Sequence, residues 1–228
     1  MVMSALLFTP EGESPALASL KLETLGARDQ LTAVSEALGQ LSLEEAVHQI
    51  KTTFDHRSKD YADWGVEKPT HYAHLLGQAS EDPYSAKIWL HQYKPATGGD
   101  RKFTEFDHNH RDGIVSLLVR AGYVATEHRD AALDDNIETD PSVNWTEFYS
   151  QLQDTGEVGY EAGDIMAIHP DEVHRLTAVL PGALSLVVRP PVRRNFSVVF
   201  KGENGENPVV RADMPMVRNN LLDDLERL

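Results

Sequence analysis

The chain has 228 residues, no cysteine, 36 acidic against 21 basic side chains and a formal net charge of −15. That balance excludes disulfides, cysteine zinc sites and thiol catalysis, and it argues against nucleic-acid or anionic-membrane partners, which call for a basic face. A hydrophobic content of 41% and a charged content of 25% are ordinary for a globular chain long enough for one domain with extensions.

Met1 to Phe8 is apolar but short and lacks the basic start of a secretory signal. No apolar run approaches the length of a membrane span, and the lack of cysteine fits a cytoplasmic setting. The stretch to Thr9-Pro10-Glu11-Gly12 reads as a loose start. From Ser14 to Asp60 the pattern is helical, with Leu31, Val34, Leu38 and Leu41, then Val47, Ile50 and Phe54, at intervals of three and four. Ser42-Leu43-Glu44-Glu45 has the form of a capping box, in which Ser42 caps an amide three residues on and Glu45 reaches back. Residues 61–84 are mixed, with Trp64, Tyr72 and Tyr84 among charges and prolines, and read as loops and a short helix.

From Ala86 onwards the texture is that of strands. Lys87 to Tyr93 alternates, and a strand carrying His108 and His110 is expected to run on into Ile114 to Val119. Residues 130–156 form a polar insertion, a candidate lid between two strands. Strands resume at Glu157–Tyr160, Asp164–Ile168, Ala183–Val188 and Phe196–Phe200. Many short strands with Gly and Pro turns predict a sandwich or jelly roll. Met214 to Leu228 is amphipathic, with Leu221, Leu222, Leu225 and Leu228 near one stripe, and predicts a C-terminal helix suited to packing on the barrel or on a second subunit. The expected organisation is a helical extension over 1–60, a β-barrel over 61–203 and a helical tail over 204–228.

Three histidines carry the chemistry. His108 and His110 stand in Asp107-His108-Asn109-His110, and His174 closes the run that begins at Gly163. In a strand, residues i and i+2 point the same way, so His-x-His aims two imidazoles at one point. A third from a neighbouring strand would complete one face of an octahedron and leave positions open, unlike a closed structural site. His169 competes with His174 for that third place, and a role beside the site is the alternative for it. His91 and His128 have no motif support and read as ordinary surface or strand residues. Asp107 and Asp112 flank the pair, where a carboxylate can orient a ligand imidazole. Arg189 is a candidate clamp for a substrate carboxylate, Arg193 and Arg194 are expected to be exposed, and Tyr93, Trp89, Phe106, Val115 and Tyr123 are candidate pocket residues.

The spacing resembles the cupin family. Its first motif is matched by His108 and His110, with Val115 at the glutamate offset and Gly122 at the closing glycine. Its second is matched by Gly163 and His174, with Pro170 displaced by one and Asp171 in place of the inner glycine. With no glutamate, the set resembles the three-histidine, cysteine-dioxygenase branch. His174-Arg175-Leu176 and the strand Ser185 to Pro191 share that likeness, although Val187 and Arg189 replace that branch's histidine and tyrosine. The resemblance spans about Ala86 to Phe200. It implies a double-stranded β-helix barrel binding Fe(II) through His108, His110 and His174, with Zn, Ni, Co, Mn or Cu as alternative ions. It also implies a small organic substrate and O₂ as reactants and a homodimer; Arg189, Tyr123 and His169 are candidate catalytic residues on their own chemistry and position, not through the resemblance.

A redox-neutral metal lyase or isomerase and a non-catalytic binding barrel are the alternatives. Asp107 to Gly113 also looks like the core of an HNH endonuclease, but the acidic chain offers no basic groove. His128-Arg129-Asp130 echoes a kinase catalytic loop with its asparagine, Asn136, one residue late and no glycine-rich loop in support.

Overall fold

The computed structural model describes residues 15–56, 64–68, 70–80, 82, 84–94, 106–120, 124–130, 143–180, 182–194, 196–201, 207–211 and 216–218. Three helices lead: α1 (Pro15–Ser19), α2 (Ala27–Gly39) and α3 (Leu43–His56), with a 3₁₀ turn at Leu22–Thr24. The capping box at the start of α3 is formed. The Glu45 amide donates to Ser42 Oγ at 3.2 Å, and the Ser42 amide donates to Glu45 Oε2 at 2.8 Å. These two bonds satisfy donors that a helix start would otherwise leave open, and the Ser42 amide and hydroxyl, both donating to the Glu45 carboxylate, hold it below its usual range.

Among the described residues, thirteen strands follow in two antiparallel sheets. One sheet runs β13 (Met216–Arg218), β1 (Trp64–Glu67), β2 (His71–Gln78), β3 (Lys87–Tyr93), β10 (Leu184–Arg189), β5 (Ile114–Arg120), β8 (Ile165–Ile168). The other runs β12 (Asn207–Arg211), β11 (Ser197–Lys201), β4 (Asp107–His108), β9 (Val173–Val179), β6 (Val124–Asp130), β7 (Gln153–Tyr160). A short helix, α4 (Trp145–Ser150), lies between β6 and β7. The chain passes repeatedly from one sheet to the other, and the two sheets close on a shared interior as a jelly-roll barrel.

The first sheet is apolar on its outer face and carries apolar clusters on its inner one. Its outer face (Ile88, Leu90, Val115, Leu117, Leu184, Leu186, Val188) packs on Val34 and Leu38 of α2 and Ala46 and Ile50 of α3. Its inner face contributes Ile114, Ile168, Val187 and Trp89 to one interior cluster, and Tyr93, Leu118 and Ala183 to another that includes Leu176 of β9. This double burial explains why β5 and β10 read as unbroken apolar runs. Gly113 sits where α2 meets the sheet: a Cβ there would stand 2.6 Å from Leu31 Cδ2. Gly163 adopts φ +103°, a conformation that glycine takes without steric penalty, and its amide donates to the Leu118 carbonyl at 2.8 Å.

Several expectations change. Residues 61–84 hold β1 and β2 rather than loops and a helix, because their pairing with β13 and β3 outweighs a weak local pattern. The tail expected to be helical supplies β12, which pairs with all of β11, and β13, which pairs with β1; residues 219–228 lie outside the described residues. The insertion is not wholly a loop: β7 begins at Gln153, and Trp145, Phe148 and Tyr149 of α4 are buried in a cluster with Val173, Phe196, Val198 and Phe200. A lid formed by residues 131–142 lies outside the described residues. Ser42→Ala is expected to cost about 1 kcal/mol in urea denaturation while leaving the barrel's ligand-binding properties unchanged, since the cap lies at the outer layer.

Candidate metal centre

His108, His110 and His174 converge, with one ligand atom from each inside a group 4.8 Å across. They do so by a route different from the expected one. Only Asp107–His108 is strand; His110 lies in the loop that follows, and β5 belongs to the opposite sheet. His174 of β9 is the direct cross-strand partner of His108. The His110 amide donates to the Pro170 carbonyl at 3.2 Å, which fastens the loop to the turn before His174.

The Nε2 atoms of His110 and His174 stand 3.2 Å apart. Two nitrogens bound to one ion at about 2.1 Å and separated by roughly 90–109° stand roughly 3.0–3.4 Å from each other, so this spacing fits a shared ion. The Nδ1 of His108 lies 3.0 Å from the Phe106 carbonyl. A carbonyl only accepts, so Nδ1 carries the proton and Nε2 keeps the lone pair that a metal needs. Burial, reinforced by His174 and His108, holds His110 well below the usual histidine range and therefore neutral. No carboxylate joins the three histidines among the described residues. Val115, at the glutamate offset, faces the helical layer, and the neighbouring inward residue is Ile114.

The loop is held by a side chain that the sequence reading placed in solvent. Arg194 is buried. Its Nη2 donates to the carbonyls of His110 (2.6 Å) and Pro170 (2.8 Å), and its Nη1 donates to Asp171 Oδ1 (2.6 Å). The guanidinium also lies over the rings of Trp145 and Phe196. Arg194 thus joins the segment carrying His110 to the one carrying His174. Asn109, fully buried between the two ligand histidines, accepts from the Val198 amide at 2.8 Å. Asp107 is buried and accepts the Tyr149 hydroxyl, which ties the ligand strand to α4.

The other candidates are dispersed. Asp112 does not orient an imidazole; it receives the Arg189 guanidinium. Arg189 shares the inner face of β10 with Ser185 and Val187, and its buried Nε has no hydrogen-bond partner among the described residues. His169 is buried, not solvent-facing, and its Nδ1 accepts from the Asp171 amide at 3.3 Å, outside the three-histidine group. Tyr123 and Gly122 lie outside the described residues, and nothing is described of the His128 side chain. Phe106 is exposed. His91, which had no motif support, is stacked against His71 inside the barrel, with ring centroids 4.2 Å apart. Burial, aided by Lys68 and Arg189, pushes His71 down to about 3 and takes His91 well below its usual range. The signal for this pair was slight: a histidine on the alternating face of β3, with its partner 20 residues earlier.

No protein-family model matches the sequence, and no curated protein matches it. Among solved structures, KdgF from Halomonas sp. overlays with 12% identity and a TM-score of 0.36, covering 59% of this chain and 92% of that one. Oxalate decarboxylase from Bacillus subtilis gives 14% and 0.37, over 58% of this chain and 28% of that one. A structure described as DMSP lyases RdDddP and RnDddQII gives 14% and 0.33, over 65% and 57%. The chain therefore spans about a quarter of the decarboxylase and over half of the lyase chain. At such identities and scores the overlays carry no argument about activity, and the site is read from its own geometry.

Arg194→Met is expected to destabilise the protein by about 3–5 kcal/mol, because it leaves the Asp171 carboxylate buried without its partner; Arg194→Met with Asp171→Leu should recover much of that in urea denaturation. A second expectation concerns pH. The unfolded chain protonates His71 near its ordinary value of 6.5, but the folded chain does so only at about 3. The associated stability is therefore complete above pH 6.5 and is lost as pH falls towards 3. In chelator-treated protein, lowering the pH from 7 to 5 should cost up to about 2 kcal/mol through this group, and His71→Gln should flatten that dependence.

Proposed function

We propose that the chain is a cupin-type, mononuclear Fe(II) dioxygenase acting on a small organic substrate, one bearing a carboxylate. The observation that carries this reading is the convergence of three imidazoles, from β4, its following loop and β9, with no carboxylate among the described residues of the group. Such a set leaves the ion its full +2 charge and about three positions for other ligands. A ferrous ion held there would supply open positions and reducing electrons for O₂ chemistry.

The chain's own residues bind and orient. His108, His110 and His174 hold the ion, and Arg194 and the Phe106 carbonyl fix the loop and the tautomer. Arg189 is the proposed partner of the substrate carboxylate; Asp112 holds the guanidinium from one side while the buried Nε remains to donate. The apolar clusters around Ile114, Val187 and Trp89 and around Tyr93 and Leu176 exclude water, which strengthens every charge interaction inside. A redox-neutral lyase or isomerase is the second reading, favoured by the stacked His71–His91 pair, which brings two imidazoles, the commonest proton carriers in catalysis, inside the barrel.

Replacement of His108, His110 or His174 by alanine should remove most of the metal measured by mass spectrometry and leave the circular-dichroism spectrum intact; full retention in His174→Ala overturns the site. O₂ uptake by iron-loaded protein against small carboxylic acids, thiols and phenols separates the two readings. Substrate-dependent uptake is expected, and turnover without O₂ consumption would replace the dioxygenase with the redox-neutral enzyme.

A further inference from the structure

The wall of the barrel opposite the three histidines is not apolar throughout. On β3, Trp89, His91 and Tyr93 alternate onto the inner face, and on β9 the same holds for His174 and Leu176. Tyr93 packs with Leu176 across the interior, so the inner face of β3 looks onto the strand that carries His174. His91 therefore faces the metal centre from the opposing sheet. His71 of β2 stacks on it at 4.2 Å, and the Thr70 hydroxyl lies 3.0 Å from His71 Nδ1, which fixes that ring. Ser185 is the cross-strand partner of His91 on β10. Its buried hydroxyl has no hydrogen-bond partner among the described residues, and neither has the buried Nε1 of Trp89. Unmet polar atoms inside a barrel are costly unless something in the cavity bonds to them.

We propose that His71 and His91, with Ser185 and Trp89, form the subsite that reads the end of the substrate remote from the metal, and that the substrate is a small acid with a chelating head and a second carboxylate. The proposal rests on the three histidines holding an ion as described above. A neutral imidazole carries one N–H to donate, and the positive charges of Lys68 and Arg189 act on both rings. A second carboxylate in this place meets N–H and O–H donors within the field of two cations. Neither His71 nor His91 belongs to the three-histidine group, so their role is to position the substrate against it.

The test uses the full chain loaded with Co(II), whose absorption reports ligands joining the ion, titrated with L-malate and with L-lactate. Both probes carry the same α-hydroxycarboxylate head, and only malate has the distal carboxylate. In the wild type, malate should bind roughly ten-fold or more tightly than lactate, the scale of a charge-assisted hydrogen bond. In His91→Leu that ratio should fall to near one at unchanged Co(II) content, and His91→Gln, which keeps a donor, should restore most of it. Equal binding of the two acids by the wild type, or a wild-type ratio in His91→Leu, overturns the subsite while leaving the metal centre standing. If the wild type takes up no Co(II), the metal reading fails, and the imidazole ¹⁵N signals of the wild type decide the subsite. Displacement of the His71 and His91 signals by malate but not by lactate supports it, and unmoved signals sink it.

Discussion

The buried guanidinium of Arg194 is the contact on which the candidate site depends. His110 and His174 are 64 residues apart, and His110 stands on a loop, where no strand ladder fixes it. Arg194 spans the gap by bonding the His110 carbonyl, the Pro170 carbonyl and the Asp171 carboxylate at once. A buried ion pair of this kind adds little net stability against an apolar replacement of similar shape, because both charges lose their water. What it contributes is geometry. A planar fork with fixed donor directions leaves the loop few arrangements, and one of them brings two Nε2 atoms to 3.2 Å.

The two sheets divide the remaining work. The first is clad outside by α2 and α3, so its stability comes largely from apolar contacts that face away from the cavity. With that layer in place, the inner face can carry His71, His91, Ser185 and Arg189 without forfeiting the core. The second sheet carries two of the ligand histidines, His108 and His174, on adjacent strands, and its own cluster with α4 presses Trp145 and Phe196 against Arg194. The helix inside the insertion therefore belongs to the structure of the site: Tyr149 bonds Asp107, the residue next to His108. Structural and chemical demands are met on opposite faces of the same strands, as the two-residue period of a strand allows.

Features legible in the chain were those with a short-range cause. The helical layer follows from apolar residues at intervals of three and four, and the α3 cap from Ser42 and Glu45 three apart. The three candidate ligand histidines were legible because their types and spacing are unusual, although His110 proved to lie off the strand. In the tail, residues 207–211 and 216–218 are strand rather than helix, because they find partners in β11 and β1 and pairing outweighs propensity; the leucines with the helical rhythm lie outside the described residues.

By itself the sequence determined a largely β barrel under a helical layer, the identity of the three candidate ligands and the absence of a cysteine-based site, because each depends on residue type and on spacing within a few positions. Only the tertiary structure decided which way the barrel residues face and what they meet. Val115 turned outward to the helices, His91 turned inward onto His71, and Arg194, surrounded in sequence by prolines and another arginine, was drawn inside by carbonyls and a carboxylate some 23 to 84 residues distant. Facing and partnership are set by strand register and sheet closure, which sum contacts over the whole chain and leave no mark in any short window of it.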